Sequence, residues 1–120
     1  MAIKLTVSDK VGFTVEGAIN DADGNSQPFE FGLTAKRLDE TETTKIQARL
    51  VLQATKDGHH KGLIDELKKL VTNWSDVRDD KDAPVAFSAK AFGDLLNAHR
   101  GLAMLVWRTY LNEQGAKEKN

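Results

Sequence analysis

The hydrophobic pattern changes its period once along the chain, and this change most constrains the fold. In the first third apolar residues recur every second position. Ile3, Leu5 and Val7 alternate with Lys4, Thr6 and Ser8, and Phe13, Val15, Gly17 and Ile19 continue the alternation opposite Thr14 and Glu16. Phe29, Phe31, Leu33 and Ala35 then alternate with Glu30, Gly32, Thr34 and Lys36. A period of two is that of a half-buried strand. The turn-forming run Asn20-Asp21-Ala22-Asp23-Gly24-Asn25-Ser26 between the last two series predicts a hairpin. Residues 8–12 predict a second tight turn, with Ile3–Val7 as the third strand.

Beyond residue 38 the pattern becomes helical. Residues 39–55 fit both periods: Ile46, Ala48, Leu50, Leu52 and Ala54 alternate, yet Ile46, Leu50, Val51 and Ala54 share one helical face. The abundance of good helix formers favours a helix, ending at Lys56-Asp57-Gly58-His59 with Gly58 as the residue beyond the C-cap. Leu63, Ile64, Leu67, Leu70, Val71 and Trp74 form the stripe of one amphipathic helix. A charged loop follows over 77–87. Ser88 suits the N-cap of a helix carrying Phe92, Leu95 and Leu96, and Asn97–Gly101 breaks it. Leu102, Leu105, Val106, Trp107, Tyr110 and Leu111 mark a last helix ending near Gln114-Gly115. The expected fold is therefore α+β: an N-terminal antiparallel sheet of about three strands followed by about four α-helices. The expected organisation is one domain over 1–120, with a β part (1–38), a helical part (39–115) and a frayed tail (116–120).

Composition removes several function classes. Seventeen basic and eighteen acidic residues give a net charge of −1, without the basic stripe that nucleic-acid binding needs. The absence of cysteine excludes disulfides, a thiol nucleophile and thiolate metal sites. The longest apolar run, Leu102–Trp107, is far below the ~20 residues of a membrane span, and the first residues lack the apolar region of a secretory signal. No nucleic-acid or membrane partner is expected.

Chemistry-bearing motifs are sparse. Asp21-Ala22-Asp23-Gly24-Asn25 resembles the start of a calcium loop, but Ser26 and Gly32 stand where that loop needs a glycine and a bidentate glutamate. A hairpin turn is the better reading. His59-His60 are adjacent without further ligands, and His99 precedes a helix break. Asp76, Asp79, Asp80 and Asp82 alternate with Arg78 and Lys81, as in a solvated turn. No phosphate loop or nucleophile elbow is present. The chain is expected to be no enzyme, with no catalytic residues, cofactor or metal. Trp74 and Trp107 either fill the core or anchor a partner; Trp74 suits the second role better because it ends a helix beside a loop.

From Leu70 the order of elements becomes distinctive. Leu70-Val71-Thr72-Asn73-Trp74-Ser75-Asp76-Val77 is followed by a charged turn, then Ala83-Pro84-Val85-Ala86-Phe87-Ser88, two apolar helices split at Gly101, and a terminal Lys119-Asn120. This order resembles the tail assembly chaperones of long-tailed bacteriophages. Members of that family resemble it in a V-T-x-W-x-x-V segment, an acidic turn and a P-V-x-F-S segment that opens the next helix. The resemblance covers residues 67–120, and more loosely Phe29–Glu40. His99-Arg100 departs from it where a proline often precedes the glycine, and residues 41–62 carry no family signature.

The resemblance implies a non-catalytic protein of the host bacterial cytoplasm, absent from the mature virion. It would bind the largely helical tape-measure protein, keep it soluble and help recruit tail-tube protein. Many small copies on a long rod bind through additive contacts, and self-association is compatible with this. Tail-tube contact through a longer, frameshifted form is also implied, with Glu118-Lys119-Asn120 as the slippage position. Trp74, Asp76, Val77, Pro84 and Phe87 are the expected partner-binding surface, with the Leu102–Leu111 helix and its Trp107 second. The competing expectation is a structural tail or head–tail connector subunit retained in the virion. A third, a small hydrolase or ligand-binding domain, would need a deep polar pocket of converging histidine and carboxylates.

Overall fold

The computed structural model describes residues 2–57 and 61–118. In chain order it contains β1 (Lys10–Asn20), β2 (Ser26–Lys36), α1 (Glu40–Asp57), α2 (Lys61–Leu70), β3 (Val71–Ser75), α3 (Ala89–Ala98) and α4 (Leu102–Gln114). The strands form one antiparallel sheet in the order β1-β2-β3. The α+β class, the three-stranded sheet and the four helices agree with the sequence reading, as do α1 as a helix and the hairpin between β1 and β2.

The hairpin closes as its turn residues dictate. Asp21 Oδ1 accepts the backbone N–H groups of Asp23 and Asn25, both at 2.9 Å, and Oδ2 accepts from Gln27 Nε2 at 3.0 Å. The Asn25 N–H does most to hold the Asp21 carboxyl below the usual carboxylate range. This carboxylate serves the turn, as the hairpin reading expects. Gly24 takes φ 83°, a conformation glycine adopts at little cost.

The membership of the third strand differs from expectation. Ile3–Val7 is in no strand, and Lys10–Gly12, expected in a tight turn, lie inside β1 paired with Lys36–Thr34. The outer strand is instead Val71–Ser75, drawn from what the pattern predicted as the end of one helix over 63–74. Ala35 pairs with Val71 and Thr34 with Asn73, so Thr72 is the extra residue of a bulge. The bulge lets Val71 and Trp74, three positions apart, face the same side of the sheet. That spacing imitates a helical stripe. The free edge of β2 and the β-branched pair Val71-Thr72 decide for strand.

The core lies between the sheet's inner face and the helices. Val11, Phe13, Val15, Phe31, Leu33, Ala35 and Val71 meet Leu63, Leu67, Phe92, Leu96, Val106 and Tyr110 there. Phe13 and Tyr110 place α4 over β1, with ring centroids 5.9 Å apart. The Tyr110 hydroxyl donates to the Lys36 carbonyl at 2.7 Å. Gln114 ties the end of α4 to the β2–α1 junction, accepting from the Leu38 N–H at 3.0 Å and donating to Thr43 Oγ1 at 3.1 Å. Asp39 and Glu42 form a reciprocal cap at the start of α1. The buried Glu66 of α2 accepts from Arg49 of α1 at 3.0 Å, which joins those two helices. The expected Ser88 cap is present: its Oγ accepts the Ala91 N–H at 3.0 Å. Gly58, His59, His60 and the Lys119-Asn120 ending lie outside the described residues.

Candidate docking cleft

Five of the six residues expected at a partner surface converge around one strap, residues 76–87, with Trp74 at the end of β3 beside it. Trp74 projects from β3 across from Leu33, and its indole Nε1 donates to the Val85 carbonyl at 2.8 Å. Its ring meets Phe87 edge-on at 5.3 Å, and Phe92 lies 6.4 Å away. Pro84 bridges to Arg78, and the Val85 N–H donates to the Val77 carbonyl at 2.9 Å. The charged turn between them closes on Asp79, whose Oδ1 accepts the N–H groups of Lys81 and Ala83, each at 2.9 Å. Asp76, which starts the strap, takes φ 60°. Trp74 and Phe87 thus hold the strap to Phe92 of α3, and Pro84 closes the strap on itself through Arg78.

Trp107 is elsewhere. It is 6% exposed and stacks on Tyr110 at 5.7 Å. Its placement on α4 puts the indole in the core and not on an accessible face, which corrects its assignment to a partner surface.

Asp76 and Val77 border an opening that sequence reasoning missed. The β1–β2 hairpin projects past the helices, and a cleft of about 230 Å³ lies beneath its inner face. Ile19 and Phe29 form the roof, Leu95 and Leu102 the floor, and Val77 a side wall. Glu30, Asp76, Arg78 and His99 also line it. Ile19 is 42% exposed although it continues the inward-facing series of β1. The reason is geometric: the open cleft stands between Ile19 and the helical residues Leu95 and Leu102. Gly17 lets Phe29 lie across the sheet here, because a Cβ at Gly17 would stand 2.5 Å from Phe29 Cζ. Among the described residues no hydrogen bond joins the His99 ring to Asp76 or Glu30, so no acid–base relay is assembled. The cleft has apolar walls and a polar margin, the form of a side-chain docking site.

A wider depression of about 710 Å³ runs between α2, α3 and the start of α4. Lys68, Lys90, Asp94 and Arg100 line it, and Lys90 pairs with Asp94 at 3.0 Å. The Lys90–Asp94 pair on its wall is solvent-exposed. Among the described residues, no helix is long and apolar enough to cross a membrane.

Comparison with family models, with curated proteins and with solved structures finds no match for the chain.

Proposed function

We propose that this chain is a tail assembly chaperone of a long-tailed bacteriophage, binding the tape-measure protein without catalysis and helping to recruit tail-tube subunits. The observation that carries the proposal is the cleft roofed by Ile19 and Phe29 and walled by Val77. It offers apolar walls to one face of an amphipathic helix, and the strap whose residue order resembles the chaperone family forms its margin. A long helical rod exposes such side chains repeatedly, and weak sites occupied by many copies act together. The proposed location is the host cytoplasm, with release before the virion matures.

The test is co-expression with the long, helix-rich protein encoded in the same tail gene cluster, followed by affinity capture of this chain. The expected result is a soluble rod that co-purifies with many copies of the chaperone. Mass spectrometry of purified virions separates the structural-subunit alternative, because a chaperone is missing from the particle and a tail or connector subunit is abundant. A rod that stays insoluble, beside a chain abundant in virions, overturns the proposal.

A further inference from the structure

The residues preceding β1 form an apolar series with nothing of its own to cover it. Ile3, Leu5 and Val7 are 94%, 102% and 69% exposed, in a segment with no helix or strand. Their odd numbering puts them in phase with Val11, Phe13 and Val15, the inner-face residues of β1. The chain cannot readily turn this arm back along its own β1. Lys10–Gly12 are already paired with β2, and Arg37 holds the base of the arm, donating to the Asp9 carbonyl at 2.8 Å through its N–H and to the Ser8 carbonyl at 3.1 Å through Nε. Beside it, β1 has β2 on one side and no described strand on the other. An unpaired strand edge and an unpaired apolar arm in the same phase are two halves of one interface.

We infer that two copies of this chain join through their β1 edges, each lending its 3–8 arm to the other. The result is a continuous six-stranded antiparallel sheet with a two-fold axis between the two Val11 residues. That register places Ile3 opposite the half-exposed Ile19, Leu5 opposite Gly17 and Val7 opposite Val15, all on the inner face. At Gly17, Phe29 and Leu105 already lie over the sheet, which gives Leu5 an apolar surface to meet. On the outer face, Ser8 falls opposite Thr14 and Lys10 opposite Gly12. Lys4 comes diagonally beside Glu16, within side-chain reach across strands. This last contact answers a defect of the single chain, in which Glu16 stands directly opposite Glu30, a like-charge pair that destabilises a sheet. A one-residue slip would turn the arm's apolar side to solvent, so the phase of the pattern selects the register. Asp9, opposite Phe13, is the one acid on the apolar side of the arm. A two-fold contact of this kind is self-complementary and closes at the dimer. The inference does not depend on the chaperone reading.

The test uses the full chain. Light scattering coupled to size exclusion is expected to give twice the 13.3 kDa of one chain. Leu5→Asp is expected to return the monomer mass and keep a cooperative thermal unfolding transition, because Leu5 is 102% exposed within its own chain. Asp9→Val is expected to tighten the dimer, a gain that misfolding cannot imitate. The chain has no cysteine, so the double variant Ser8→Cys/Thr14→Cys is expected to form an interchain disulfide dimer on mild oxidation, which neither single variant does. A wild-type chain that stays monomeric at high concentration, or a dimer that survives Leu5→Asp, overturns the inference. Capture of the tape-measure protein by monomeric Leu5→Asp separates this interface from the cleft.

Discussion

Trp74 offers the sharpest test of how the strap is held. Trp74→Phe keeps an aromatic ring against Phe87 and Phe92 but removes the donor that meets the Val85 carbonyl at 2.8 Å. Losing such a bond and leaving its acceptor half-buried costs about 1–2 kcal/mol. A chain of 120 residues unfolds with an entropy of about 250 cal/mol/K, so each kcal/mol lowers Tm by about 4 °C. The expected loss is therefore about 4–8 °C for Trp74→Phe. Trp74→Ala, which also empties the ring's site, is expected to cost about 3–5 kcal/mol and about 12–20 °C. Thermal unfolding by circular dichroism reads both values. Limited tryptic digestion supplies the local readout, since Arg78 and Lys81 lie in the turn that the strap closes. Cleavage there is expected to accelerate in Trp74→Phe before global unfolding does. If Trp74→Phe melts with the wild type and its Arg78 and Lys81 sites stay equally protected, the hydrogen bond holds nothing, and Trp74 must be explained by a partner instead.

Three further outcomes follow from named contacts. Ile19→Asp places a carboxylate in the cleft at a residue already 42% exposed, so Tm is expected to change by under about 2 °C while capture of the proposed tape-measure partner falls sharply; retained capture would detach the cleft from the proposed function. Gly17→Ala pushes a methyl group into Phe29 and Leu105, whose nearest atoms would lie 2.5 and 3.1 Å away; it is expected to cost about 1–3 kcal/mol in urea unfolding by overpacking. Burial pushes the Tyr110 hydroxyl up to about 12 from 10. A raised folded value means the contribution is complete below pH 10 and disappears as pH rises through about 12, a loss of about 2–3 kcal/mol. Tyr110→Phe lacks that alkaline loss, so a wild type and variant with parallel stability profiles above pH 10 would refute the assignment.

The hairpin, α1, the Ser88 cap and both C-terminal helices were legible because each is encoded locally. Alternation defines β1 and β2, Asp21 and Gly24 define the turn, and Ser88 meets the N–H of Ala91 three residues on. The candidate site was legible only in part. The motif between Trp74 and Phe87 points to a common region, yet most of its members prove to bind one another. Ile19, Phe29, Leu95 and Leu102 belong to four elements, and only Ile19 carries a faint signal, as an apolar residue beyond the end of the strongly packed series.

Residues 63–75 mark the boundary between the two kinds of information. Leu63, Leu67, Leu70, Val71 and Trp74 satisfy a helical period, and a chain reading only its own pattern would continue the helix through Trp74. The free edge of β2, distant in sequence, supplies hydrogen-bond partners that a helix at 71–75 would leave unused. The bulge at Thr72 then turns Val71 and Trp74 to one face. Ile3–Val7 shows the converse, an ideal strand pattern that finds no edge within its own chain. Local periodicity and turn chemistry thus determined which segments could be strands or helices. Only the tertiary structure decided which strand edges were filled, because a strand needs a partner's N–H and C=O groups and a helix supplies its own.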